Sequence, residues 1–590
     1  MSDFIYSSIP KNQGELTEHI QSIYHQDVPE VYEFHGGWGS LGVSHNLYNG
    51  LQPVETNSHI FVVIGGPVIC FSDNKFLSEE DPVAGTKKIL CRYETGEIQW
   101  DEELSGPFVI LSINKANNNI TCITDLMMFI PVYHYLLDGK LVMGTHIDSV
   151  AKASGQENSF DPVSLADFII NDVVTYPYTT YKKIRQLHPA AIHKYTHKDR
   201  GVQECEPDLY WIPEERDIYK NINEAATELR KGIQDYINKI TEGMTEIAQF
   251  ISAGEDSRVI AGLLPKSLKR DGFIFLDNMN REGEIAEKVT QAYGINFYPQ
   301  FRSKTHYLEI LPEASDLVGS GYQYLHAHSL GFHKTCKLDQ YHAVFGGYLG
   351  DAFLKGLYTR KLRGQTRMPF LPEIGIKGET RSKPINNTCF YQNINNNITA
   401  RRLDHLNEVK KYRKSNMHEW FSLWPSSMRQ GLPYFSSNRR LLKTYEPFSS
   451  KEVVKICAIV PVNWKLNRRL FKKAMNPFLK ESKWLSHTKG FFPYFPWWFN
   501  ILPQFIVWIW RGFAKTFGII KGHQGSWGDW KEISSSQIWN KSIHKYGKNN
   551  LCSDSFLNVP IKNAFKGNYL KRMQKVNLLQ VMYFLKNNQH

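Results

Sequence analysis

From residue 220 onward the sequence alternates between helical and extended patterning, and this alternation constrains the fold more than any other feature. "NINEAATELRKGIQDYINKI" carries apolar residues at helical spacing, and "EIAQFIS" is an apolar run of strand length. "DSRVIAGLLP" returns to helical spacing and stops at Pro265. "GFIFLDN" is a second strand, "EGEIAEKVTQAYG" a helix ended by Gly294, and "YHAVFGG" a third strand running into glycine. Strand–helix–strand–helix order predicts a parallel sheet with helices on both faces. In such sheets ligands sit beyond the carboxyl ends of the strands. The glycine-bearing loops at 252–258 and 346–351 both follow strands, so they are expected to face one site.

The N-terminal part reads differently. "HIFVVIGGPVICFS", "GPFVILSINKANNNITCITD" and "VYHYLLDGKLVMGTHI" are β-rich runs, with "NKANNN" and "LLDGK" as hairpin turns. Residues 1–150 are therefore expected to form an antiparallel sheet domain with few helices. "DPVSLADFIIND" returns to helical spacing, with Asp161 as cap and Pro162 at the first helical position. The polar "THKDRGVQECEPDLYWIPEERD" reads as a linker, and the chain beyond 400 reads as helical and basic. At 590 residues the chain is too long for a single core.

The loop "FISAGEDSRVIAGLL" carries the chemistry. A phosphate needs several backbone N–H groups converging on it, and a helix N-terminus adds a favourable dipole. Ser252, Ala253 and Gly254 are small enough to allow that approach, and Ser257 can cap the helix or donate to phosphate. Asp256 would repel a phosphate unless a cation lies between them, which points to Mg²⁺. The residues alone describe an ordinary strand-to-helix turn capped by Asp256 or Ser257 better than they describe a phosphate site. It is not a Walker loop, because no Gly-Lys-Ser/Thr follows.

The residue order resembles the Ser-Gly-Gly-x-Asp-Ser pyrophosphate loop of the asparagine synthetase family. Ser252, Gly254, Asp256 and Ser257 match, and Ala253 replaces the first Gly. "FIFLDNMNREGEIAEKVTQAYGINFYP" resembles the second strand and the helix after it, with Glu282 where the family has an acid. "AVFGGYLGDAFLKG" resembles the glycine-rich acidic loop, with Gly347 and Asp351 matching. Gly350 keeps this loop small, while Tyr348 and Ala352 stand where the family often has further acids. In the helical region Arg439, Arg440, Pro447 and Phe448 fit, and in "WLSHTKGFF" Lys489 falls at the family's adenylation Lys. "LSGPFVILSINKANNNITCITDLMMFIPVYHYLLDGKLVMGTHIDSVAKA" resembles the end of the family's glutaminase domain, and Tyr210-Trp211 the bridge after it. The likeness spans roughly 60–490.

The resemblance implies an N-terminal glutaminase-like, Ntn-type antiparallel β-sandwich over 1–212. A parallel-sheet ATP-pyrophosphatase domain of α/β type over 213–490 follows, then an aromatic-rich C-terminal extension over 491–590 packed on it. It implies ATP-dependent adenylation of a small-molecule or peptide carboxylate, release of pyrophosphate, and displacement of AMP by ammonia or a substrate amine. Ser252, Ala253, Gly254, Asp256, Ser257 and Gly347 would hold ATP and pyrophosphate, Asp256 and Asp351 would carry Mg²⁺, and Lys489 and Asp351 would act in catalysis. Glutamine hydrolysis in the family needs an N-terminal Cys, whose thiol attacks the amide. Here Met1-Ser2-Asp3 stands first and the first cysteine is Cys70, so the glutaminase-like domain is expected to be inactive. In this the chain looks like β-lactam synthetases and lasso-peptide cyclases, which use an amine of the substrate. The alternative is a non-catalytic homologue that binds a nucleotide or a partner. A homodimer is compatible with the resemblance.

The remaining features bear on partners. A net charge of +12 and a pI near 9.0 favour anionic ligands. The basic run 401–414 reads as a solvated helix face rather than a site for nucleic acid or an acidic leader peptide, and no nucleic acid is expected. Eight scattered cysteines without a CxxC pair, and no signal-like N-terminus, suit a cytoplasmic protein. His326, His328 and His333 match no standard metal spacing and are expected to line the substrate pocket; Glu255 is expected to be exposed, and Arg258 to contact phosphate or cover the helix. The aromatic segment 490–520 is interrupted by Pro493, Pro496 and Pro503, too often for a spanning helix. It reads as a buried or partner-covered element, with membrane-interface contact as the less favoured alternative.

Overall fold

The computed structural model describes residues 3–79, 81–199, 201–360, 368, 370–375, 384–517, 524–547 and 551–587. Ser2, where the expectation of a missing thiol falls, lies outside the described residues. Two antiparallel sheets form the N-terminal layers. One runs Ile184–Gln186, Tyr133–Leu137, Lys140–Gly144, Phe4–Ser7, Gly39–Ser44, Val31–Gly36 in spatial order. The other runs Gly201–Glu204, Ala191–Lys198, Ile120–Thr124, Phe108–Asn114, His59–Gly65, Val54–Glu55. Successive strand residues point to opposite faces. Ile60, Val62, Ile64, Val109, Leu111 and Ile113 meet Phe4, Tyr6, Leu41 and Val43 between the sheets. The alternate residues Phe61, Val63, Phe108 and Ile110 enter a second, larger core. A sheet covered on both faces reads as continuous apolar runs, which is why "IFVVI" and "FVILSI" lack polar alternation.

The few helices of this half, chiefly Glu15–Gln21 and Ala84–Glu94, are short and add to the sheet layers. One expectation is corrected. The segment read as a linker is strand through Lys198, and Gly201–Glu204 pairs back on it; Gly201, at φ +98, lies where the chain reverses. Asp161 does cap helix Pro162–Asn171, accepting from the Val163 N–H.

The second half is built on a five-stranded sheet, parallel throughout, ordered Asn296–Phe301, Lys269–Leu276, Glu246–Phe250, Val344–Phe345, Thr444–Tyr445. In chain order this is third, second, first, fourth, fifth, so the winding reverses between Glu246–Phe250 and Val344–Phe345. At such a switch point the loops leaving adjacent strands diverge and open a crevice. Helices Glu255–Leu263 and Arg281–Tyr293 supply the first two crossovers, as their apolar spacing predicts.

The halves are joined by buried polar contacts. Arg439 and Arg440 both reach the Asp3 carboxylate, at 2.9 and 2.8 Å, and Arg440 also donates to the Leu317 carbonyl. These guanidinium groups hold Asp3 well below the ordinary carboxylate range against the upward push of burial. The C-terminal helix Arg572–Asn587 packs on Pro162–Asn171, and Asn577 donates to Asp172 at 2.7 Å. In the basic run, Arg401 pairs with Asp161, Arg402 with Asp167, and Arg413 is buried against the Pro213 and Ala458 carbonyls. That run is therefore partly structural rather than only a solvated face.

Candidate active site

A cavity of about 730 Å³ opens at the carboxyl ends of the parallel strands, bounded by both glycine-bearing loops. The first loop is braced from within. Gln249, at the end of the first strand, donates to the Ser257 carbonyl at 2.6 Å and ties strand to helix. The Ser252 N–H donates to Ser257 Oγ at 3.2 Å, and the Gly254 N–H to Ser252 Oγ at 3.0 Å. The Ala253 N–H donates to Glu282 Oε1 at 3.0 Å, so Glu282 acts as a strut under the loop. Neither Asp256 nor Ser257 caps the helix; Gly254 is the N-cap, and the Ser257 hydroxyl serves the loop instead. The first-turn amides of a helix have no partner within it. Amides 252–254 are taken up in the loop, so an anion here would meet the first turn from Glu255 together with two hydroxyls 3.0 Å apart. Ala253 is buried and has no left-handed backbone, so this position does not require glycine.

The second loop comes close enough to touch the first. A Cβ on Gly347 would lie 2.9 Å from the Asp256 carbonyl carbon and the Ser257 nitrogen, and one on Gly350 would lie 2.4 Å from Asp256 Oδ1. Leu349 between them is buried at φ +81, a conformation uncommon for a bulky residue. Glu446, just past the fifth strand, accepts the Tyr348 N–H at 2.7 Å and holds the loop from below. Burial pushes its carboxyl up to about 8, so it is largely protonated at neutral pH.

Charge concentrates where the loops meet. Lys355 Nζ lies 2.7 Å from Asp351, 2.8 Å from Asp256 and 3.2 Å from Glu255. Arg468 reaches the other oxygen of Glu255 at 3.0 Å and lies over the Phe491 ring. Glu255, expected at the surface, is instead buried, because these two cations make burial tolerable. Burial raises its carboxyl, but Arg468 and Lys355 outweigh that and hold it at about 2. Asp256 goes the other way: burial and the neighbouring Asp351 and Glu255 charges raise it to about 7, despite Lys355. Lys355 holds Asp351 below its ordinary value. Three carboxylates thus gather around Lys355 and Arg468, with the charge of Lys472 also acting on Glu255.

That donor set fits Mg²⁺ in its usual phosphate-bound form, which takes one or two carboxylates and completes its octahedron with phosphate and water. Asp256 and Asp351 already share one cation and are the residues that would hold the ion. Among the described residues no three His, Cys, Asp or Glu side chains are grouped to bind a metal unaided.

Lys489 lines the same cavity from the tip of a tight turn, closed by the His487 N–H on the Phe491 carbonyl at 2.7 Å, with Gly490 at φ +87. Arg258 ties the stretch leading into this turn to the first loop. It is fully buried and donates to the carbonyls of Leu485, Ser486 and Ala253 at 2.6, 3.0 and 3.0 Å. Of its two expected roles, contact with phosphate or cover for the helix, it takes neither. His326 and His328 line the far wall beside Trp527, while His333 lies outside and pairs with Asp27. Burial lowers His326 to about 4 and His328 well below the ordinary value, so both are neutral.

The cavity thus gathers Ser252, Gly254, Asp256, Ser257, Gly347, Asp351 and Lys489, whereas Ala253 sits beneath the loop. Arg439 and Arg440 lie elsewhere, on Asp3. Lys355, Arg468 and Glu446 belong to the site and were missed. Only Lys355 left a trace in sequence, its i,i+4 spacing from Asp351.

Comparison with known proteins bears on the first half. No curated protein matches the chain. Two solved structures are similar at 10% identity: "Structure of the allosteric regulatory enzyme of purine biosynthesis", and "Glutamine phosphoribosylpyrophosphate (PRPP) amidotransferase from B. subtilis complexed with ADP and GMP". The first covers 51% of this chain and 80% of its own, with TM-score 0.24; the second 50% and 65%, with TM-score 0.20. At that level of superposition neither bears on activity. The family model described as glutamine amidotransferase domain matches residues 45–211. Over that segment, which holds most of the antiparallel layers, the chain is therefore similar to a glutamine amidotransferase domain, and the match is to an amide-transfer family.

Proposed function

We propose that the chain is an ATP-dependent, AMP-forming ligase that joins a carboxylate to an amine or to ammonia. The observation that carries this reading is the meeting in one cavity of a strand-to-helix phosphate loop, the Asp256–Lys355–Asp351 cluster and the Lys489 turn. The carboxylate oxygen attacks the α-phosphorus of ATP, the bond to pyrophosphate breaks, and an amine then displaces AMP from the acyl carbon. The first turn from Glu255, with the Ser252 and Ser257 hydroxyls, is aimed at the leaving pyrophosphate. Asp256 and Asp351 would hold Mg²⁺, which would supply charge neutralisation at the phosphates. Lys489 and Arg468 add positive charge at the cavity wall, and Arg258 positions Lys489. The neutral imidazoles of His326 and His328 and the Trp527 ring form the opposite wall, apolar enough to keep water from an activated acyl group.

We further propose that the amidotransferase-like half does not hydrolyse glutamine. What supports this is that no cysteine precedes Cys70, whereas glutamine hydrolysis in the family uses a cysteine thiol near the start of this domain. The alternative of a nucleotide- or partner-binding homologue without turnover draws on Lys355, which already bridges the acids. Pyrophosphate release from ATP, measured over a panel of carboxylates and amines, separates the two. The ligase reading expects release that falls about 100-fold or more in Asp256→Ala. No release with any pair, together with unchanged nucleotide binding in that variant, would sink it.

A further inference from the structure

We propose that the helix Ile501–Thr516 and the aromatic loop before it dock the protein on an anionic phospholipid bilayer, with the cavity opening beside the docked face. The helix is amphipathic in the inverse sense. Gln504, Arg511 and Ala514 turn toward the protein, while Leu502, Ile506 and Trp510 are 64%, 57% and 52% exposed. Phe505, Trp508, Ile509 and Phe513 are exposed as well. Within 490–520 Phe491 and Pro493 are buried as expected, residues 518–520 lie outside the described residues, and burial is corrected for Trp497–Phe499 and the helix's outer face, since its inner contacts use Gln504, Val507, Arg511 and Ala514. A soluble surface does not gather this much contiguous aromatic area without a use for it.

The patch is built and rigid. Asn500 Nδ2 donates to the carbonyls of Phe492, Phe495 and Pro496, and its Oδ1 accepts the Phe492 N–H at 2.7 Å, so the turn carrying Trp498 is pinned. Arg511 donates to the Thr488 carbonyl at 2.7 Å, which ties the helix to the Lys489 turn. Phe370 packs against Phe505 and Trp508, at 5.2 and 5.6 Å, and adds the exposed Leu371 to the same rim. Leu371, Phe491 and Gln504 also line the cavity, so the apolar rim and the cavity mouth are continuous.

Length and charge select the occupant. The helix has 16 residues, about 24 Å at 1.5 Å per residue, against roughly 30 Å of bilayer hydrocarbon. Among the described residues no helix is long and apolar enough to cross a membrane, so this one would lie in the interface plane. Tryptophan and phenylalanine with basic neighbours suit that depth. Among the described residues Lys483, Lys489 and Arg511 stand beside the patch, and the acid on the cavity side of its rim, Glu373, accepts the Asn467 N–H at 2.8 Å. Basic neighbours of this kind are attracted to an anionic leaflet.

The test is flotation of the full chain with vesicles of phosphatidylcholine alone and of phosphatidylcholine with phosphatidylserine, in the absence of ATP, so its outcome is independent of the ligase reading. The wild type is expected to float with the mixed vesicles and to be released by salt. The double variant Ile506→Glu, Ile509→Glu is expected to bind at least tenfold more weakly with an unchanged melting temperature. Lys483→Glu serves as a milder second variant with a partial loss. Wild type that stays at the bottom of both gradients would overturn the proposal, as would a double variant that floats equally well. A wild-type dimer, or a stable complex with another protein, that forms without lipid and is lost in the double variant would assign the face to that partner instead.

Discussion

Lys355 is the residue on which the charge balance of the site turns. Its ammonium stands between three carboxylates at 2.7, 2.8 and 3.2 Å in a buried position. Removing one partner from such a cluster leaves charge uncompensated, so Lys355→Met is expected to cost about 3–5 kcal/mol. Denaturant unfolding would measure it, and Mg²⁺ with ATP should recover part of the loss if the added cation takes over the lysine's role. Glu446 makes a pH prediction. Its carboxyl is raised by burial from 4.5 to about 8 in the folded chain. The protonated form is the one folding favours, so its contribution is full below about 4.5 and is lost as pH rises through about 8. Glu446→Gln should flatten the fall in melting temperature between pH 6 and 8.5. A fall as steep as in wild type would show that other groups dominate.

At the scale of elements, the crossing of two loops decides the site. Gly347 passes the helix N-terminus so closely that a methyl group would meet backbone atoms of Asp256 and Ser257 at 2.9 Å. Backbone cannot rotate away, so Gly347→Ala is expected to cost about 1–3 kcal/mol and to lower pyrophosphate release more than tenfold. Parallel melting and kinetic assays would show both, whereas wild-type kinetics would mean that the loops need not touch. The strand and helix runs from 246 to 294 were legible because each carries its own periodicity. The fifth strand was not, since Thr444–Tyr445 is two residues long and is a strand only by pairing with Val344–Phe345. Arg468 was hidden for a similar reason. It leads helix Arg469–Met475 from a left-handed position at φ +59, and nothing local shows that its guanidinium reaches a loop more than two hundred residues away.

For the whole molecule, the Asp3 ion pairs make one unit of the two halves. Asp3→Ala would leave Arg439 and Arg440 buried without their partner and is expected to cost about 3–5 kcal/mol. Denaturant unfolding would then separate into two transitions where the wild type shows one. The proposed inactivity toward glutamine concerns the N-terminal half and is tested on the full chain. Purified protein incubated with glutamine should produce no glutamate above a heat-killed control, and measurable production would refute it.

By itself the sequence determined the classes of layer, antiparallel first and parallel after, because strand and helix periodicity are local consequences of which face is buried. It also determined that the loops at 252 and 346 leave the same ends of parallel strands. Only the tertiary structure decided which charges stand there. Burial and long-range pairing placed Lys355, Arg468 and Glu446 in the site, drew Glu255 inside it, and sent Arg439 and Arg440 to Asp3. The same holds for the helix Ile501–Thr516. Its composition was plain in sequence, but whether the aromatic face turned in or out depended on which side Gln504 and Arg511 found their contacts. Pattern along a chain reports which residues can be buried together; the partner that fills each face is set by parts of the chain far away in sequence.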